Sequence, residues 1–478
     1  MAIQKLQEPI LQDEFTSGMF DDLSVGDSLL PKNAVRKGVN VMFDRPRGAI
    51  TQRSGTTKLG GDVDAGSTIT GLHNHRSSNA SAHDLFSVVG NQIYILNGAT
   101  WDTSATLSGT GKTRFLTYLD NTAAMRGSSA RGWNETSWLS TGGSLDIGNF
   151  PDSIVAVVLN TRIFCFGDST NPDKVSASSL EASGAISWTS GTKDFEVNPN
   201  DGNGSLTSAT SNGRVIIFFK ERGMYRYDDN ELQHIVNIGT TSHESVFTDD
   251  NGITYFFGQG SNTVGFYMTT GGYPQKISRP LTKWVEAISA SFYTDINGYT
   301  DGTKCYWSVG SVTVDSVTYT NAWYVYSIAD QTWEICSYAD RYMVFAMYID
   351  GSSNVTTLGG DTDGMVQTID SGTTDNGTAI ESEAELAPQY FTTRGRVKVV
   401  NELVAYAKDF QGLQLFMKVD DGEFENIGSI DKTEKLFRGI KKLRGHAFTP
   451  KITAFNSQAP FIFEGLEYND VTDEGYQQ

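Results

Sequence analysis

Asn212-Gly-Arg-Val-Ile-Ile-Phe-Phe-Lys-Glu-Arg-Gly-Met-Tyr-Arg-Tyr-Asp-Asp-Asn230 is the stretch on which the fold turns. Asn212-Gly213 fits a two-residue type I′ turn, whose central positions both need positive φ. Arg214 to Phe219 is β-branched and aromatic, long enough for a strand and too short for a helix. Lys220 to Gly223 breaks the run, and Met224 to Tyr227 alternates apolar with polar, as a half-buried strand does. Asp228 to Asn230 is the next turn. The theme then repeats: Asn251-Gly252, the run Ile253 to Phe257, a glycine-rich tip at Gly258 to Ser261, the run Val264 to Met268, and Gly271-Gly272. Hairpin follows hairpin, which is the pattern of antiparallel blades.

The same pattern extends on both sides. Strand-like runs lie at Leu85 to Val89 and Ile93 to Leu96 across Gly90-Asn91, and at Phe115 to Leu119, Ile154 to Leu159, Ile163 to Phe166 and Leu206 to Thr210. Beyond the central stretch come Cys305 to Trp307, Val312 to Val317, Ala322 to Ile328, Trp333 to Cys336, Met343 to Ile349 and Met365 to Ile369. Many short strands without a fixed period predict an all-β fold, an irregular β-propeller of about six blades. Thr373 to Thr378 reads as a linker. After it, Leu403 to Ala407, Leu413 to Val419, Ile452 to Phe455 and Phe461 to Leu466 predict a β-sandwich or barrel. Three regions are therefore expected: an N-terminal arm with docking strands over 1–60, the propeller over 61–375, and a C-terminal module over 376–478. In the arm, Phe15, Met19, Phe20 and Leu29-Leu30 are the side chains available for docking.

With 478 residues, the chain can bury a large core without disulfides or metals. Cys165, Cys305 and Cys336 follow no metal spacing, and an odd, sparse count points to synthesis in a reducing compartment and to free thiols. The N-terminus lacks a signal-peptide layout, and no apolar run approaches about 18 residues, so no membrane span is expected. Net charge is −19, and residues 59–389 alone hold 17 basic and 36 acidic groups. Such an excess disfavours sequence-independent DNA binding, which rests on neutralising phosphates.

The chemical motifs are near misses. Ser108-Gly-Thr-Gly-Lys-Thr113 ends like a phosphate-binding loop, but the first glycine is replaced by Thr106 and a strand pattern follows where a helix is needed. A polar hairpin turn is expected there. His73 and His75 would share a strand face, with His83 nearby, yet no acid or cysteine completes a metal set, so surface histidines are expected. Asp249 to Gly252 and Asp361 to Gly364 begin like calcium loops but lack the later bidentate acid, and read as turns. No nucleophile elbow and no Cys/His pair stands out. No enzyme activity and no cofactor is expected. Arg394, Arg396 and Lys398 recur at period 2, which puts them on one strand face. With the basic segment Lys435 to Arg444 they form either a solvated face or a docking patch for an acidic partner.

Several elements in order resemble structural tail proteins of tailed bacteriophages. They are Leu30-Pro-Lys-Asn33, Val39-Asn-Val-Met-Phe43, Gln52-Arg-Ser-Gly55, Asn171-Pro-Asp-Lys-Val175 with Ser178-Ser179, Asn212 to Arg222, and Ile238-Gly239 leading to Asn251-Gly-Ile253. The resemblance is to the nozzle or tail-stabilisation proteins of short-tailed phages. It implies a virion tail protein made in a bacterial cytoplasm, forming a ring, expected to be a hexamer. Portal, adaptor and other tail proteins would be its partners, with viral DNA passing without specific binding. On that reading Arg45, Arg47, Arg53, Arg394, Arg396, Lys398, Lys441, Lys442 and Arg444 are the candidate docking residues, and part of the acidic middle faces the conduit. The alternative is a surface propeller that binds or cleaves glycans.

Overall fold

The computed structural model describes all residues except 1–3, 6–9, 22–29, 32, 45–47, 79–82, 129, 169, 351, 392–394, 409–411, 431–435, 440–441, 458–459 and 476–478. Among the described residues the only α-helix is the short Thr282–Glu286, and nearly every other element is an antiparallel strand.

Seven antiparallel blades follow one another along the chain, the last two joined through terminal strands into one larger sheet. Blades I to IV, residues 69–106, 114–139, 155–196 and 206–236, are four-stranded meanders, each strand paired with the next. Blade V, 238–276, has its first strand split in two, Ile238–Gly239 and Phe247–Thr248, both paired with Thr254–Gly260. Blade VI, 297–337, carries two long strands, Lys304–Val314 and Val317–Ser327. Blade VII takes three strands from 342–369 and its fourth, Thr56–Lys58, from the N-terminal region. The first strands of successive blades pack side by side, and Tyr342–Ile349 of blade VII packs on Ile69–Arg76 of blade I. The ring closes, so the chain contains a seven-bladed propeller; the expectation of about six missed the blade completed from a distant segment.

Local chemistry explains the hairpins. Asp249, Asp350 and Asp361 each accept, through Oδ1, the N–H groups two and four residues on. In each case the backbone N–H of the aspartate closes the loop onto the carbonyl four residues later. The two sequences resembling calcium loops are thus turn caps. Asn212 does the same over a shorter loop, accepting from Arg214 and Val215. Only Gly213 has positive φ there, so Asn212 precedes the turn and the expected I′ geometry is absent. The run Val312 to Val317 is no single strand either, because Asp315-Ser316, both at positive φ, form a hairpin tip inside it.

The chain ends build the second body. One sheet runs Val35–Val39, Thr378–Leu386, Phe448–Ser457, Leu413–Val419, Glu425–Ile430. Another runs Val41–Asp44, Ala49–Gln52, Ile462–Asn469, Glu402–Lys408, Leu436–Gly439, with Ile10–Asp13 also on Ile462–Asn469. They share a core in which Phe15, Val35 and Ile50 pack with Leu386, Leu415, Ile452 and Phe463. The described part of the N-terminal region is therefore built into both the sandwich and the propeller and is not an arm. Phe15 lies in this core, and Met19 packs in the Trp307 and Trp333 cluster between blades V and VI.

The expected linker at Thr373 to Thr378 is a hairpin as well. Asp375 pairs with Thr378 across Asn376-Gly377, both at positive φ, which is the I′ geometry the sequence promised elsewhere. Gly55 passes so close that a Cβ there would meet the Thr374 carbonyl oxygen at 2.0 Å. The boundary expected at 375/376 thus lies inside this hairpin, at the junction of propeller and sandwich.

Candidate functional site

The candidate docking residues scatter once placed. Arg45, Arg47, Arg394 and Lys441 lie outside the described residues. Arg53 is 2% exposed and no docking residue at all. Its five N–H groups are all used: Nε donates to Asn40 Oδ1, Nη1 to Ser54 O and Asp375 Oδ1, Nη2 to Ser337 O and Asp375 Oδ2. The guanidinium also lies 3.8 Å from the Tyr338 ring centroid. Because a planar fork matches a carboxylate at two points, arginine and not lysine suits this position. It ties the N-terminal segment, the end of blade VI and the Asn376-Gly377 hairpin together.

Arg396 and Lys398 both reach Asp473, at 3.1 and 3.6 Å, and the Lys398 side chain is fully buried. They staple Val397–Val400 to Thr472–Gly475, so neither forms an open basic face. Lys442 is exposed, and Arg444 is exposed with Nε 2.8 Å from Glu474 Oε2. These two are the surface-facing candidates among the described residues.

A second group of polar residues gathers where the first strands converge. A cavity of about 270 Å³ is lined from blades I, II, V, VI and VII. The loop Ser108 to Thr113, with Gly109 and Gly111 at positive φ, leads into the first strand of blade II, which places Arg114 on the cavity wall with Lys112 beside it. It is the connection between blades I and II and not the expected hairpin turn, and its lysine reaches Glu244 of the cavity wall. Opposite, the break in the first strand of blade V is a 3-10 turn, His243–Ser245, which presents His243 and Glu244. Arg114 Nη2 lies 2.6 Å from Glu244 Oε1 and Lys112 Nζ 3.5 Å from Oε2. Burial alone would raise the Glu244 pKa; Arg114 and Lys112 outweigh it and hold it at about 2. Burial, with Arg114 beside it, pushes His243 down to about 3, and its Nδ1 lies 2.8 Å from Ser208 Oγ.

His73 and His75 do share a face, turned toward blade II. His73 stacks on Phe115 and meets Thr117 Oγ1 at 2.7 Å; His75 meets Thr122 Oγ1 at 2.9 Å, and the two threonine hydroxyls bond each other. His75 is fully buried, which corrects the expectation of surface histidines. Burial pushes His73 down to about 3. Among the described residues no group of three or more His, Cys, Asp or Glu is placed to hold a metal. Cys165, Cys305 and Cys336 are buried and free; Cys305 and Cys336 sit in clusters on opposite faces of blade VI. Burial pushes the Cys336 thiol up to about 12.

Sequence reading missed Glu244, His243, Arg114 and Asn297 as cavity residues. The signal present was small: Lys112 and Arg114 at period 2, and a polar interruption at Thr240 to Ser245 within an otherwise strand-like region.

No family model matches the chain, and no curated protein does. Solved structures with a similar fold include the extracellular domain of BT4673 from B. thetaiotaomicron, at TM-score 0.44 and 11% identity, covering 66% of this chain and 39% of that one. YCF48 bound to D1 peptide gives 0.38 and 9%, covering 64% and 94%. The AfRom2 CNH domain gives 0.38 and 10%, covering 66% and 98%. At such identities the likeness concerns the fold alone. No helix among the described residues is long and apolar enough to cross a membrane.

Proposed function

We propose that this chain is a non-enzymatic subunit of a bacteriophage tail, a nozzle- or hub-type ring that extends the DNA conduit, retains the packaged genome and lets it leave. The observation that carries the reading is the junction at Arg53. A ring subunit that transmits force between neighbours needs its bodies fixed to each other, and five charge-assisted or carbonyl hydrogen bonds from one buried guanidinium do that here. The ordered sequence elements that resemble tail nozzle proteins support the same reading. The axial cavity, crossed by the Arg114–Glu244 pair, has no room for a duplex, so the conduit lies between copies and not through one propeller.

Closed cyclic symmetry is the usual outcome for identical subunits, and a conduit requires it. The ring is a hexamer that docks on portal and adaptor proteins. Acidic groups of 59–389 within about 8 Å of the lumen repel DNA in transit. Cryo-EM of phage particles, with native mass spectrometry of the purified protein, tests this: sixfold density at the end of the portal is expected. A single copy, or a trimer on the outside of the tail, would sink it.

A further inference from the structure

We infer that the axial cavity is a binding site for a small carboxylate that carries hydroxyl groups, of the size of one uronic acid. Two cations, Lys112 and Arg114, share one carboxylate, Glu244. The two imidazoles beside them, His73 and His243, are held neutral at pH 7. The cavity therefore keeps one positive charge without a counterion, in surroundings where an unpaired charge is costly. A monoanion completes it.

The unmet hydrogen-bonding groups say more. Arg114 Nε is a buried donor with no acceptor, and Lys112 Nζ is held only by its ion pair with Glu244 at 3.5 Å, so the site offers both groups to an anion. Asn297 is 1% exposed and lines the cavity. Its Nδ2 donates to Tyr342 O and Asp295 O, while its Oδ1 has no donor. A buried acceptor without a donor asks for a ligand hydroxyl. Most of the remaining wall, Thr113 apart, is flat or apolar: Phe115 with His73 stacked at 5.0 Å, then Leu72, Val246, Val344 and Phe345. Charged end, hydroxyl-seeking acceptor and flat apolar side together match a hydroxylated ring bearing a carboxylate. The side chains of Lys112, Arg114 and Glu244 keep 15–19% exposure, so solvent and a small ligand can enter. The site is independent of the ring reading; either stands if the other fails.

Isothermal titration calorimetry of the full chain with D-glucuronate, D-glucose and acetate tests it. D-glucuronate should bind at least about tenfold more tightly than either of the others, one lacking the charge and one the hydroxyls. Lys112→Met should weaken it about tenfold, whereas Lys112→Arg, which keeps the charge, should retain it. Should Lys112→Met fail to fold, the ranking of the three probes on the unaltered protein decides alone. Glucose or acetate binding as well as glucuronate, glucuronate binding unaffected by Lys112→Met, or no heat at about 10 mM ligand overturns the proposal.

Discussion

The propeller and the terminal sandwich are both antiparallel β-structure, but they are assembled on opposite plans. In the propeller nearly every strand pairs with its sequence neighbour, across turns capped by their own aspartate or asparagine. In the sandwich, Ile10–Asp13 pairs with Ile462–Asn469, and Val35–Val39 with Thr378–Leu386. Closing such long loops costs more chain entropy before any contact rewards it. The difference teaches where the molecule is vulnerable. The propeller's stability is spread over many local turns, while the sandwich and blade VII depend on a few long-range joints, above all Arg53 with Asp375.

The first prediction attacks that joint. Arg53→Met leaves Asp375 buried without its cation and strips a donor from Asn40 and from two carbonyls. Breaking a buried pair from one side costs about 3–5 kcal/mol. Urea unfolding should show that loss, and the propeller and sandwich should separate into two transitions. Asp375→Asn on the same background should cost much less than it does alone, because the two side chains act as one unit. A loss below about 1 kcal/mol for Arg53→Met would remove the distinction between local and long-range stabilisation.

The same contrast explains what the sequence could tell. Lys220 to Gly223 and Asp228 to Asn230 are readable turns because the residues that shape them lie inside them. The runs Leu85 to Val89, Met224 to Tyr227 and Leu413 to Val419 recur as strands for the same reason. Thr56–Lys58 is three residues with no pattern of its own, and its partner Val366–Ile369 is some three hundred positions away, so blade VII could not be counted. Asn376-Gly377 carried a strong hairpin signal that was masked by the polar, small residues around it. Leu119-Asp120 and Asn160-Thr161 make turns with both residues at positive φ and no glycine, where tertiary packing overrides local preference. Arg53, Arg396 and Lys398 were misplaced among the basic candidates because charge pattern does not reveal partners: Asp375 and Asp473, which bind them, lie far along the chain.

At the axis, the propeller should respond to acid. His73 and His243 sit at about 3 against the ordinary 6.5, so below pH 6.5 the unfolded chain binds protons that the fold refuses. Their contribution is complete above about 6.5 and is lost as pH falls toward 3. Glu244, at about 2 against 4.5, adds a further loss below 4.5. Melting temperatures from about pH 7 to about pH 4.5 should fall, by roughly 2 kcal/mol of stability per histidine over that window. The double variant His73→Gln, His243→Gln should flatten the slope. An unchanged slope would place the acid sensitivity in groups other than these two histidines.

The turn caps give a smaller effect, spread evenly. Asp350→Ala removes an acceptor from the N–H groups of Ser352 and Asn354, and Asp249→Ala from those of Asn251 and Ile253. By analogy with helix caps each should cost about 1 kcal/mol, and the two should add, since they lie in separate hairpins. Losses several times larger or clearly non-additive would mean that blades are coupled more tightly than their local pairing implies.

The smallest effect on stability belongs to the sandwich surface, and it bears most on function. Arg444 and Glu474 form an ion pair with side chains 53% and 32% exposed, and Lys442 is exposed beside it. Pairs in water contribute only about 0–1 kcal/mol, since screening and side-chain entropy offset the attraction. Lys442→Ala with Arg444→Ala should therefore shift the urea midpoint by less than about 0.5 kcal/mol in equivalent stability. If the sandwich is the body that meets neighbouring tail proteins, the same pair of changes should reduce incorporation into particles while the purified chain folds normally. Charge reversal, Arg444→Glu, should reduce it further, because like charges across an interface repel as well as fail to attract. Particles that incorporate both variants at the unaltered level would show that the surviving basic residues are solvated surface. The docking face would then have to be sought on the propeller, where the acidic excess makes a basic partner the complement.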